Sequence, residues 1–161
     1  MGSAWVLDAS PLILLARVGQ LGLLERLAAE VWIPPAVVWE VRAGPAADPA
    51  RQALAAGWGV AVPCPDVDPQ VLEWSLGPGE TQVIAVARRA PRRTAVLDDA
   101  AARRCGRALG VQLVGTLGVV LRAKIIGVLP SAADVLRALR SEGLYLDDEI
   151  VGKALHQVGE R

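Results

Sequence analysis

The sequence predicts an α/β protein, a three-layer α/β/α sandwich around a mostly parallel sheet of about five strands. Three observations predict it. Short apolar runs at residues 5–7, 31–33, 58–62, 94–97 and 111–114 suit strands buried on both faces, as in a parallel sheet. Stretches with helically spaced apolar residues separate them, the alternation expected of crossover units. The length of 161 residues fits a single domain over 1–161 that buries roughly 70% of its unfolded surface, and no repeat, low-complexity tract or linker divides it.

Taken in order, the first run stops at Asp8. Ser10 and Pro11 then read as N-cap and first residue of a helix over 11–17, because the serine oxygen accepts from an orphan N–H and proline has none to lose. Asp8 thus stands at a strand's carboxyl end, the rim where open parallel sheets bind ligands; capping the helix is the competing role. A helix over 21–29 leads to the second strand. Pro34 and Pro35 end that strand and start a helix reaching Gly44, which carries Glu40 among Val37, Val38 and Val41. A loop over 44–49, a helix over 50–56, the third strand, a proline-rich connection over 63–68 and a short helical stretch over 71–75 follow.

The turn GPGE feeds a helix over 80–89 with Val83, Ile84, Val86 and Ala87 inside, which leaves Glu80 in the first turn, where the helix dipole alone favours an acid. The fourth strand ends at Asp98 and Asp99, so a second strand terminates in acid as the first does. A helix over 100–109, the fifth strand and the turn Gly115-Thr116 lead into a helix over 117–126. Ser131 with Asp134 resembles a capping box, and the acids at 147–149 read as electrostatics at the start of the last helix.

Composition excludes several classes. The 17 basic and 17 acidic residues leave no net charge, which argues neither for nor against a nucleic acid partner. The longest apolar run, 117–129, is interrupted by Arg122 and Lys124 well short of the ~20 residues that cross a bilayer, so no membrane partner is expected. The N-terminus lacks the features of a signal peptide, and a cytoplasmic location is expected. Cys64 and Cys105 lack metal spacing and read as free thiols, and His156, the one histidine, is too little for a histidine-based triad or zincin.

Asp8, Glu40, Glu80, Asp98 and Asp99 each fall at a strand's carboxyl end or early on a helix that follows one. If the strands are parallel, these positions share one rim. Carboxylates brought together raise one another's pKa at a cost to the fold, a cost that a divalent cation removes. Oxygen ligands without histidine or cysteine select Mg²⁺ or Mn²⁺, and such a site can drive metal-assisted hydrolysis of a nucleic acid backbone.

The segments VLDAS at Asp8, VVWEV at Glu40, GPGETQVIAVA at Glu80, VLDDAAARR at Asp98 and Asp99, and VGTLGVVLRAK around Thr116 resemble, in their order and separation, the PIN-domain family of metal-dependent nucleases and its compact VapC-type toxin branch. The resemblance covers nearly the whole chain. It implies an endoribonuclease whose Asp8, Glu40, Glu80 and Asp98/Asp99 hold Mg²⁺ or Mn²⁺, with Ser10 and Thr116 in support. It also implies a homodimer silenced by a small antitoxin. Many members carry aspartate where Glu80 stands, and an isolated T-x-D aspartate where this chain has two acids. Which of Asp98 and Asp99 faces an ion is therefore open. The alternative is a PIN-like module that holds RNA or a protein without cutting. Haloacid-dehalogenase-type and phospho-receiver patterns need acids in another order, and no G-x-G-x-x-G follows the first strand.

Arg88, Arg89, Arg92, Arg93, Arg103, Arg104 and Arg107 bracket the fourth strand. Of these, Arg89, Arg93, Arg103 and Arg104 are the expected RNA contacts, against the alternative that they are solvated helix faces. By the resemblance single-stranded RNA is the substrate, yet stacking platforms are scarce: phenylalanine is absent and the five tryptophans suit the core, with Trp39 beside Glu40 the exception to watch.

Overall fold

A computed structural model describes residues 3–161. Strands β1 (Ala4–Leu7), β2 (Glu30–Ile33), β3 (Val60–Ala61), β4 (Thr94–Val96) and β5 (Gln112–Val114) form one five-stranded sheet in the order β3-β2-β1-β4-β5. Every pairing is parallel. Trp5, Val6, Leu7, Ala95 and Val96 are buried, which is why these runs are apolar without alternation.

Ten helices accompany the strands among the described residues: α1 (Ala9–Arg17), α2 (Gly22–Leu27), α3 (Pro35–Arg42), α4 (Pro49–Ala55), α5 (Pro69–Leu72), α6 (Pro78–Arg88), α7 (Ala100–Ala108), α8 (Thr116–Ile125), α9 (Ala132–Ser141) and α10 (Asp148–Gln157). Helix α6 packs on β1 and β4, α3 packs on α6, and α2 and α8 pack together. The result is the expected three-layer α/β/α sandwich, with the sheet wholly rather than mostly parallel. No helix among the described residues is long and apolar enough to cross a membrane.

Several boundaries differ from expectation. Helix α1 begins at Ala9 with Asp8 as its N-cap, so Ser10 is an exposed second helical residue rather than the cap. The reason is that a helix leaves its whole first turn of N–H groups without partners, so Pro11 fits the third position as well as the first. The same tolerance starts α6 at Pro78, which keeps Glu80 in the first turn. Strand β3 is cut to two residues because Gly59, at φ +79°, turns the backbone out of extended geometry just before it. The capping at Ser131 is present: its Oγ accepts the Asp134 N–H at 3.2 Å.

The strand order fixes the site. From β1 the chain steps outward to β2 and β3, then returns to the other flank of β1 as β4 and continues to β5. The order in which strands are added therefore reverses between β1 and β4, and the crevice at such a switch point, beyond the carboxyl ends, is where open α/β sheets hold ligands. Asp8 follows β1 and Asp98 follows β4. Their strands are in register, Leu7 against Val96, and the Asp8 N–H donates to Val96 O at 3.2 Å.

Candidate active site

A cleft of about 590 Å³ opens at that crevice, lined by Asp8, Ser10, Glu40 and Glu80 and walled on its apolar side by Pro35, Ala36, Trp39 and Pro78. Asp8 arrives from β1, Glu40 from the outward side of α3, whose Val37 and Val41 enter the core, and Glu80 from the first turn of α6. The apolar company of Glu40 in sequence is thus the other face of its helix.

Gly79 shows how closely two of these acids approach. A Cβ on that residue would stand 3.1 Å from Glu40 Oε2 and 3.2 Å from Asp8 Oδ1, so both oxygens border one space that only glycine leaves open. Sequence reasoning passed over Gly79; a glycine immediately before a first-turn acid was the available signal.

Electrostatics follow from this crowding. Asp8 is only 5% exposed, and its pKa is pushed up to about 7, first by burial and then by the charges of Glu80, Glu40 and Asp98, against a lowering contribution from the Ala9 N–H. Glu80 is also raised, by partial burial, by Asp99 and by Glu40, with the Gly77 N–H opposing. The adjacent acids therefore divide their influence, Asp98 acting on Asp8 and Asp99 on Glu80.

Their hydrogen bonds differ as well. Asp98 Oδ1 accepts the N–H of Thr116 at 2.7 Å and Oδ2 accepts its hydroxyl at 2.6 Å, so Thr116, fully buried, orients the carboxylate. Asp99 caps α7, Oδ2 accepting the Ala102 N–H at 2.9 Å. Ser10 lies exposed on the lip of the cleft.

The arginines separate into two groups. Arg103 Nη1 donates to Leu97 O at 2.9 Å on the acidic rim, and Arg104 is exposed one residue further along α7. Arg93 precedes β4, so at about 3.3 Å per residue its Cα lies roughly 16 Å from that of Asp98, at the other end of the strand. There its guanidinium lies 4.6 Å from the Trp32 ring centroid and donates to Val86 O at 2.7 Å. Arg89, at the far end of α6, donates to Asp66 O. The fold does not bring Arg89 and Arg93 to the acids.

Among the described residues no three acidic side chains come close enough to enclose an ion unaided. Magnesium is commonly bound by one or two carboxylates and keeps several waters, so Asp8 and Glu40, whose oxygens both border the space over Gly79, are the residues that could hold one.

Fold and site together define an α/β domain with an acidic centre at the switch point of a parallel sheet. A family model described as PIN domain (DUF3368) matches residues 4–160, and the chain belongs to the PIN-domain family. A comparison with curated proteins gave no match. PIN domains are generally nucleases and typically use divalent metals.

Proposed function

We propose that this chain is a Mg²⁺- or Mn²⁺-dependent endoribonuclease, the toxin of a VapC-type toxin–antitoxin pair, working in the cytoplasm as a homodimer and silenced by a small antitoxin. The observation that carries the reading is the buried Asp8, pushed up to about 7 amid three further carboxylates, an arrangement whose repulsion a divalent cation relieves. Asp8 and Glu40, whose oxygens meet beside Gly79, would hold the ion, with Glu80, Asp98 and Asp99 completing its acidic surroundings. Bound there, the metal supplies phosphodiester polarisation and a more acidic attacking water. Thr116 positions Asp98, Ser10 offers a hydroxyl to a water or phosphate oxygen at the lip, and Arg103 and Arg104 are the rim's phosphate contacts.

The test is cleavage of labelled single-stranded RNA by protein freed of any co-purified inhibitor, in Mn²⁺, Mg²⁺ or EDTA. Cleavage is expected only with metal, and Asp8→Asn is expected to lose more than about 100-fold, beyond what removal of an outer-shell partner costs. Equal rates in the two proteins would remove this mechanism.

A second reading is a PIN-like module that binds RNA or a protein without cutting. Tight RNA binding with no metal-dependent cleavage would favour it.

A further inference from the structure

Past Asp98 the rim continues into a second groove of about 470 Å³, bordered by β5, α8 and the segment that joins α9 to α10. Asp98 lines it, so the groove is an extension of the acidic rim rather than a separate hollow. Leu117 forms part of its apolar lining, and Arg103, Arg122 and Tyr145 are its polar and aromatic members.

Three features give this groove a chemical character. Tyr145 is 92% exposed, yet it stands between Leu144, which is buried, and Leu146, which is half-buried, so the chain is anchored on both sides while the ring is left in solvent. Arg103 is oriented by the Leu97 carbonyl, and the Arg122 guanidinium lies 5.6 Å from the Trp5 ring centroid. Neither cation forms an ion pair with a described residue; Arg122 is exposed, whereas Arg103 Nη1 and Asp98 Oδ1 border the same space beside Gly115, so Arg122 carries the freer charge. The acids that follow Tyr145 are already engaged: Asp147 accepts the Glu149 N–H, and Asp148 pairs with Arg140 at 2.6 Å.

Guanidinium groups free of ion pairs along a groove, with an exposed aromatic ring among its lining residues, are what binds single-stranded nucleic acid: the cations follow phosphates and the ring stacks on a base. A protein partner would be served by the apolar members alone and would leave the Arg103 and Arg122 guanidiniums to be matched. We propose that this groove carries single-stranded RNA away from the acidic cleft, with Arg103 and Arg122 contacting backbone phosphates and Tyr145 stacking on an unpaired base. The direction of travel rests on the nuclease reading, whereas the binding chemistry is independent of it. A duplex offers the ring no free base face, so single strands are preferred.

The experiment measures anisotropy of a fluorescent single-stranded RNA oligonucleotide in EDTA, where no cutting intervenes, for the wild type, Tyr145→Ala, Tyr145→Phe and Arg122→Gln. Tyr145→Ala is expected to bind about tenfold more weakly while Tyr145→Phe stays near the wild type, the signature of stacking. Arg122→Gln is expected to lower the salt dependence of binding by about 0.7 in log–log slope, the loss of one phosphate contact on a single strand. Unchanged affinity in both Tyr145→Ala and Arg122→Gln, no measurable RNA binding by the wild type, or equal affinity for duplex would each overturn the groove assignment. Absent metal-dependent cleavage with the Tyr145 effect intact would sink the nuclease reading and leave the groove standing.

Discussion

Asp98 grips Thr116 at two points, Oδ1 on its N–H and Oδ2 on its hydroxyl, and so joins the end of β4 to the start of α8. One lone pair remains on each oxygen, enough to hold a water or an ion in a fixed direction. The grip sets Asp98 apart from Asp99, whose side chain is spent in part on capping α7.

Thr116→Val removes the hydroxyl, keeps the backbone bond and nearly preserves shape. It is expected to cost roughly 1.5–3 kcal/mol of stability, the range for a hydrogen bond to a charged group, and to slow RNA cleavage at least tenfold. Thr116→Ser is expected to restore most of both. Urea unfolding and initial cleavage rates check this, and a valine protein matching the wild type in each would remove Thr116 from the site.

Gly79→Ala places a methyl 3.1 Å from Glu40 Oε2 and 3.2 Å from Asp8 Oδ1. The helix is expected to form normally, since alanine is the better helix residue. Mn²⁺ affinity is expected to fall tenfold or more because the space between the two acids closes. Calorimetric titration with Mn²⁺ reads the change, and wild-type affinity would mean the ion sits elsewhere.

The raised pKa of Asp8 makes a signed prediction about stability. From about pH 4 to about pH 7 the folded protein holds a proton that the unfolded chain releases, so stability falls as pH rises through that window and levels off above it. Asp8→Asn escapes this loss. Without metal, the variant is expected to match the wild type near pH 4 and exceed it by roughly 2–4 kcal/mol near pH 8, from a shift of about three pKa units with allowance for relaxation. Added Mn²⁺ is expected to raise the melting temperature of the wild type and not of the variant. Parallel pH profiles for the two proteins would show that Asp8 is not held protonated.

Much of the site was legible from residues alone because acids terminating buried apolar runs have few structural duties. Asp8 and Asp98 ended such runs, and Glu40 and Glu80 each followed a proline turn into a helix, so their rim was readable once parallel strands were assumed. The arginines were not legible in the same way. Arg93 and Arg103 flank one strand in sequence, yet opposite ends of that strand face different partners, and only Arg103 reaches Asp98's end. Gly79 escaped notice because what matters there is the side chain it lacks.

By itself the sequence determined the alternation of strands and helices, the burial of the strands and the acid at the end of β1 and β4, since all of these follow from side-chain periodicity over a few neighbouring residues. Tertiary structure alone decided that β4 lies beside β1, which sets Asp8 next to Asp98, brings Asp8 and Glu40 together beside Gly79 and leaves Tyr145 in solvent in the groove that Arg103 and Arg122 line. The physical reason is that strand pairing joins residues about ninety positions apart, Leu7 with Val96, through backbone hydrogen bonds that carry no residue-specific signature.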